Sequence, residues 1–249
     1  MDSAMERWYR AAGERYSVRK YTEGVTRDEL KALREAASYF STEDVRIVVG
    51  KKEGVFSPLI GRTISGTDTY AALLSQSPDD DYTVGMVGEA FVLECAAMGL
   101  GTCWLGMSYS KSVINSVIKY ENDYEKVRCV ISIGHYDSNK DIRRSRKSVY
   151  ELTGLVDTAF RKLPEWQQCA VECARLSPSA RNAQPWEFDI LDPNSFQIAQ
   201  VSRNFGYGEL DCGIAMLHVE VGAAHCGVYG DWTVEDGLPL FKVDYDPER

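Results

Sequence analysis

The chain has very little histidine: His135, His218 and His225 are the only three in 249 residues, and they lie far apart. A histidine-based zinc site needs ligands at short, recurring spacings, so no metal is expected. Nor is there a CxxC pair among the seven cysteines, Cys95, Cys103, Cys129, Cys169, Cys173, Cys212 and Cys226. Their odd number and apolar surroundings fit reduced thiols that pack as small hydrophobes. No apolar run approaches the roughly 18 residues that span a bilayer, and no basic start leads into an apolar stretch near residue 1. The expectation is a cytoplasmic protein with no membrane partner. Positive charge is also in short supply, since 28 Lys and Arg face 37 Asp and Glu for a formal net charge of -9. A surface of that sign repels phosphate backbones and argues against a nucleic-acid partner, although a local basic cluster can still hold one phosphate.

What is present is ordinary for a globular protein: 44% hydrophobic and 26% charged residues, enough to bury a real core. A helix is expected from about Ser3 to Gly13, and a second opens at Thr26 with Asp28 and Glu29 in its first turn. Strands are expected at Val45–Val49, Tyr70–Leu74 and Val127–Ile133, with the glycine-rich stretch 54–66 as loop or hairpin. Residues Val84–Met98 are apolar on nearly every face, broken mainly by Glu89 and Glu94, so that helix is expected to be buried and central. The second half repeats the order more briefly, with helices at Pro164–Leu176 and Cys212–Ala224 and strands at Trp186–Leu191, Phe196–Val201 and Leu240–Val243. GEAFVLECAAMGLGTCW and GIAMLHVEVGAAHCGVYGDW lie over each other, each with an early glycine, an apolar helix, an acid and a glycine-containing exit. That pattern points to a faint internal duplication, with residues 1–155 as one repeat and 156–249 as a shorter one.

Three strings carry candidate chemistry. In RYSVRKY, Arg15, Ser17, Arg19 and Lys20 crowd donors into one short turn, which suits a phosphomonoester, although such clusters also occur on plain surfaces. GLGTCWLG leaves the buried helix for an expected loop or turn, where glycines let backbone approach a flat ligand or simply cap the helix. It is not GxGxxG and does not open a helix after a strand, so a dinucleotide-fold reading fails on context. PSARNAQPWEF couples a Pro-Ser turn to Asn182 and Gln184 and then to Trp186, giving an exposed loop of fixed geometry or a support for a packed tryptophan. The basic run 139–151 also reads as a solvated linker. Cys103 has no evident base to make it a nucleophile. Tyr70 and Trp104 either line a pocket or pack in the core, and residues 61–82, with Asp79, Asp80 and Asp81, form a rim or a solvated loop.

Taken in order, the three strings resemble those of the nitroreductase-like FMN oxidoreductase superfamily, in its fused-repeat branch. The resemblance covers most of the chain and implies an α+β, nitroreductase-like fold of two fused repeats forming an intramolecular pseudo-dimer. It implies FMN as cofactor and NAD(P)H as electron donor, with hydride passed in a ping-pong cycle to a nitroaromatic, quinone or similar small-molecule acceptor. By the same resemblance Arg15, Tyr16, Ser17 and Arg19 hold the FMN phosphate and ribityl oxygens, joined by Arg144 and Arg146 from RRSRKSVYEL. Thr102, Cys103, Trp104, Leu105 and Gly106 pass along the flavin, Gly106 donating to N5, while Pro178, Ser179 and Ala180 meet the isoalloxazine edge. Asn182 and Gln184 hold that last loop in shape as the alternative to touching the ring. No side chain is implied as catalytic acid or base. The first half lacks a Pro-Ser/Gln-Pro-Trp loop and the second lacks both basic turns, so one FMN per chain is expected. A monomer is expected, with further dimerisation open. The rival readings are a non-catalytic flavin-binding or sensing protein and a scaffold with a degenerate site.

Overall fold

The computed structural model describes residues 3–56, 64–77, 81–137 and 145–243. Packing divides the chain into two compact units, Glu14–Arg143 and Met1–Gly13 with Arg144–Arg249, called here the first-half and second-half units. These bounds differ from those read in the sequence, because the first helix, α1 (Ala4–Glu14), and residues 144–155 pack with the second half.

In the first-half unit, α2 (Arg27–Phe40) starts where the sequence signals it. Thr26 Oγ1 accepts from Glu29 N at 3.2 Å and Glu29 Oε2 accepts from Thr26 N at 2.7 Å, a reciprocal cap that satisfies two orphan donors. Helix α2 buries Leu33 and Ala37. The β-branched run becomes β1 (Val45–Lys51), which pairs antiparallel with β2 (Thr69–Ser75) so that Ile47 faces Leu73. Every residue of β2 is buried. Helix α3 (Asp81–Ala97) is the expected buried helix, with Phe91, Val92 and Leu93 all out of water. It ends at Gly99, whose φ of +80° and whose bond to Ala96 O, with Leu100 N bonding Cys95 O, cap the last turn.

The sequence reading of GLGTCWLG as a loop is corrected at this point. Gly101–Leu105 is a strand, β3, paired antiparallel with β4 (Lys126–Gly134) through Thr102↔Ile133 and Trp104↔Ile131. Only Gly99 serves the helix cap; Gly101 is needed because a Cβ there would come within 2.7 Å of Tyr136 and Val18. The short α4 (Lys111–Val117) lies between them in sequence, capped by Ser110. The sheet order is β1-β2-β4-β3. Residues 57–63, 78–80 and 138–144 lie outside the described residues, and with them fall both flanks of the expected rim (61–63 and 78–80, with Asp79 and Asp80), much of the basic run, and Arg144, while the middle of that rim is the buried strand β2.

In the second-half unit the helices are α5 (Val149–Thr153), α6 (Asp157–Phe160), α7 (Glu165–Leu176) and α8 (Gly208–His225). Ser148 and Glu151 cap α5 reciprocally, so the end of the basic run is a helix start. Strands β5 (Trp186–Asp192), β6 (Ser195–Gln200), β7 (Gly230–Glu235) and β8 (Leu238–Val243) form an antiparallel sheet in the order β5-β6-β8-β7. Its core is aromatic: Trp166 stacks on Phe196 at 5.6 Å between ring centroids, with Phe188 and Phe241 against Phe196. Tyr9 of α1 stacks on His225 at 3.7 Å. Helices α7 and α8 approach closely at Gly222, where a Cβ would meet Cys169 O at 2.5 Å. Apart from α4 in the first-half unit and α1, α5 and α6 in the second, each unit runs helix, two strands, apolar helix, two strands, and each sheet places its four strands in the order first, second, fourth, third.

Candidate functional site

In the first-half unit the first two motifs meet. Val18 N donates to Thr102 O at 2.8 Å, and Ser17 forms a parallel bridge with Thr102, so RYSVRKY runs beside the free edge of β3. On its other flank Ser65 N donates to Arg19 O at 3.1 Å and Tyr21 N to Ser65 O at 2.9 Å. The Tyr21 hydroxyl reaches Ser132 Oγ at 2.8 Å in the core. Gly66, at φ +84°, is obligatory here, because a Cβ would sit 2.1 Å from Tyr21 O.

Arg15 is buried, its Nε 3.9 Å from Oε1 of the fully buried Glu89. The other Glu89 oxygen, Oε2, accepts from Trp104 Nε1 at 2.8 Å, and Gly88 leaves room for that indole, since a Cβ there would meet Trp104 Cη2 at 2.3 Å. One carboxylate thus ties the basic turn to β3. Arg15 Nε and Nη1 have no hydrogen-bond partner among the described residues. Leaving buried donors unmatched costs about 1–3 kcal/mol each, and an anion is the group that relieves it. Arg19 is half-buried and turns Nη1 back to Ser17 O at 3.2 Å. Tyr16 is half-buried against Tyr136, and Lys20 is exposed. Burial pushes the Cys103 thiol up, against the partly offsetting charges of Arg19 and Arg15 and a hydrogen bond from Ser17, so it stays protonated near neutrality. Leu105 is buried and Gly106 sits half-buried just past the end of β3.

In the second-half unit Pro178 is buried and Ser179 and Ala180 are half-buried. Ser179 Oγ accepts from Gln184 N at 2.9 Å, and Gln184 Oε1 accepts from Lys147 N at 2.8 Å. Asn182 accepts from Arg146 Nη1 and donates to Ser145 O at 3.0 Å, while Arg146 Nη2 reaches Leu176 O at 3.0 Å. Asn182 and Gln184 therefore hold the loop in shape, and the described bonds of Arg146 go to the same task. Arg181, Asn182 and Gln184 all carry positive φ, as do Asn204 and Phe205 in the turn beyond β6. Two residues there escaped the sequence reading. Asp211, in the first turn of α8, accepts from Ala180 N at 3.0 Å, and Asn204 Nδ2 donates both to Asp211 Oδ2 at 2.6 Å and to Ala180 O at 2.9 Å. The one available signal was an acid near the start of an otherwise apolar helix.

Tyr70 is buried in the core against Gly50. A cleft of about 430 Å³ does open in the first-half unit among Tyr109, Lys111, Asn115, Tyr120 and Val127, but it shares no residue with the motifs. No group of three or more His, Cys, Asp or Glu among the described residues is arranged to hold a metal, and no described helix is long and apolar enough to cross a membrane.

The sequence profile of a family described as "Putative TM nitroreductase" matches residues 8–223. A solved structure from Thermotoga maritima described as "a putative nitroreductase", 19% identical, is matched over 96% of this chain and 94% of that one with a TM-score of 0.69, which shows a shared fold. An FMN-dependent nitroreductase from Clostridium difficile is 16% identical over 62% of this chain and 96% of its own, with a TM-score of 0.42. An NADH dehydrogenase/NAD(P)H nitroreductase from Parabacteroides distasonis is 15% identical over 59% and 96%, with a TM-score of 0.46. No curated protein matches the chain.

Proposed function

The chain belongs to the family described as "Putative TM nitroreductase", and from that premise we propose that it is an FMN-dependent NAD(P)H oxidoreductase. The observation that carries the reading is the joining of Ser17–Arg19 to the edge of β3 beside a buried Arg15 with two unmatched donors. These residues fit the phosphate of an anionic cofactor, with guanidinium groups for its charge and a hydroxyl for a directional bond. FMN held by these residues would supply the redox chemistry, hydride transfer between a reduced nicotinamide and a nitroaromatic, quinone or similar acceptor in a ping-pong cycle.

The work left to the chain is binding and placement. Arg15 and Arg19 offset phosphate charge, with the Ser17 hydroxyl adding a directional bond; Glu89 holds Arg15 against β3. Thr102, Cys103, Trp104 and Leu105 line the ring and exclude water, and Gly106 offers a backbone N–H beyond the strand end. Pro178, Ser179 and Ala180 are proposed as ring contacts through packing, because the Ala180 N–H and C=O are both committed to Asp211 and Asn204. Arg146 is read as a support of that loop rather than a phosphate ligand, leaving Arg144 as the proposed basic contact from its turn. The matched strand orders support an internal duplication, and because RYSVRKY and the 178–184 loop each occur once, one FMN per chain is proposed.

The test is a visible spectrum of the purified protein before and after anaerobic NADH or NADPH. A yellow protein bleached by nicotinamide is expected, with flavin lost in Arg19→Ala and in Arg15→Met. Flavin that neither nicotinamide reduces would leave a flavin-binding or sensing protein; a colourless protein that cannot be reconstituted with FMN would sink both readings.

A further inference from the structure

We propose that Asp211, acting with Asn204, is the positioning residue that fixes the Ala180 peptide, so that the 178–180 loop offers its apolar surface in one orientation to the ligand; the flavin half of this inference rests on the function proposed above. The geometry is a closed ring. Ala180 N donates to Asp211 Oδ1 at 3.0 Å, Asn204 Nδ2 donates to Asp211 Oδ2 at 2.6 Å, and the same Nδ2 donates to Ala180 O at 2.9 Å. Two side chains thereby treat the backbone of one residue as a neighbouring strand would, satisfying its N–H and its C=O together.

Three further observations show that the ring holds this loop and does more than fill the core. Five non-glycine residues in the two joined segments, Arg181, Asn182, Gln184, Asn204 and Phe205, lie at φ between +38° and +60°. Left-handed backbone at such residues persists only where the surroundings over-determine it. Second, the segments are joined again outside the ring, where the Arg181 guanidinium lies 4.1 Å from the centre of the exposed Phe205 ring. Third, core stability does not account for the carboxylate. Helix α8 is apolar on nearly all faces, Asp211 is 2% exposed, and burial pushes its acid up to about 7 despite the two donors. An apolar side chain would suit that position in the core better, whereas only an acceptor with two oxygens can serve both Ala180 and Asn204.

With its N–H and C=O taken, Ala180 can meet a ligand only through its methyl group. The loop is therefore a packing surface, held still by groups that do not themselves touch what it packs against.

The test compares Asp211→Ala and Asn204→Gly with Asp211→Asn. Glycine at 204 suits the left-handed backbone and removes only the amide group; asparagine at 211 keeps an acceptor for Ala180 N–H. Two readouts are taken on the full chain: amide hydrogen exchange of Ala180, and the FMN dissociation constant from flavin fluorescence. Exchange about tenfold faster and FMN binding about tenfold weaker are expected in the two deletions. Asp211→Asn, which keeps the acceptor for Ala180 N–H but not the one for Asn204, is expected to fall between Asp211→Ala and the wild type in both readouts, a partial rescue that loss of packing alone would not give. If Asp211→Ala fails to fold, Asn204→Gly carries the comparison. Unchanged Ala180 exchange in the folded variants would overturn the inference, and faster exchange with unchanged FMN affinity would overturn its flavin half. A wild-type chain that takes up no FMN would instead remove the proposed function, while the exchange arm still decides whether the ring holds the loop.

Discussion

Arg15 and Glu89 are both removed from water, yet their closest approach is 3.9 Å and Glu89 spends its other oxygen on Trp104. A buried pair of this kind contributes little net stability when whole, but breaking it strands a charge in the core. Glu89→Leu is therefore expected to lower unfolding free energy by about 3 kcal/mol in urea titration, and Glu89→Gln by less, since the amide oxygen still accepts from Trp104. Equal losses would show that the Arg15 charge, and not the indole, depends on Glu89. Asp211 and Glu220 pose a pH question, because burial raises both acids to about 7. Their unfolded values lie near 3.9 and 4.3, so the folded state binds more protons across that window. The contribution is fully present below about pH 4 and is lost as pH rises through 7. Stability is expected to fall between pH 5 and pH 8, and Asp211→Asn to remove a share on the order of 3 kcal/mol from that slope. An unchanged slope in the variant would assign the loss elsewhere. At this scale the sequence displayed what is chemically conspicuous, a guanidinium cluster with a hydroxyl. It hid Asp211, Asn204 and the role of Glu89, because each acts through a partner that only folding brings near.

Helices α3 and α8 were legible because they are apolar on every face, and such a helix has nowhere to go but the core. Strand β3 was not, because glycines at both ends of TCWL imitate a loop while the strand's real requirement is close approach to Val18 and Tyr136. Strand β7 was passed over although a signal existed: Asp236-Gly237, both at positive φ, is the turn that joins it to β8. Its residues are mostly exposed, so no apolar alternation announces it. The two kinds of glycine separate by experiment. At Gly237 a Cβ meets nothing within 4 Å, so Gly237→Ala carries only backbone strain, about 1 kcal/mol. At Gly222 the same change drives a methyl into the backbone of α7, and helices cannot yield locally. Gly222→Ala is expected to cost about 3 kcal/mol or to separate α7 from α8, read by chemical denaturation. A cost no larger than that of Gly237→Ala would mean that the helices slide apart freely.

At the scale of the whole chain the argument turns on what is repeated and what is not. The two sheets share one strand order, and each unit threads an apolar helix between its second and third strands. The ligand-facing features do not follow that repetition. Arg15, Ser17 and Arg19 beside β3 have no counterpart string in the second-half unit, and the Pro178–Gln184 loop with its Asp211–Asn204 support has none in the first. A duplicated fold would offer two equivalent sites only if both copies kept both sets. Each unit carries one of the two proposed sets. Saturating the protein with FMN is accordingly expected to give a flavin-to-chain ratio of one, measured by flavin absorbance against quantitative amino-acid analysis, in a species whose light-scattering mass is that of one chain. A ratio of one half in a species of two chains would mean that two copies build one site; a ratio of two would mean that the chain holds a second flavin away from the Ser17–Arg19 turn.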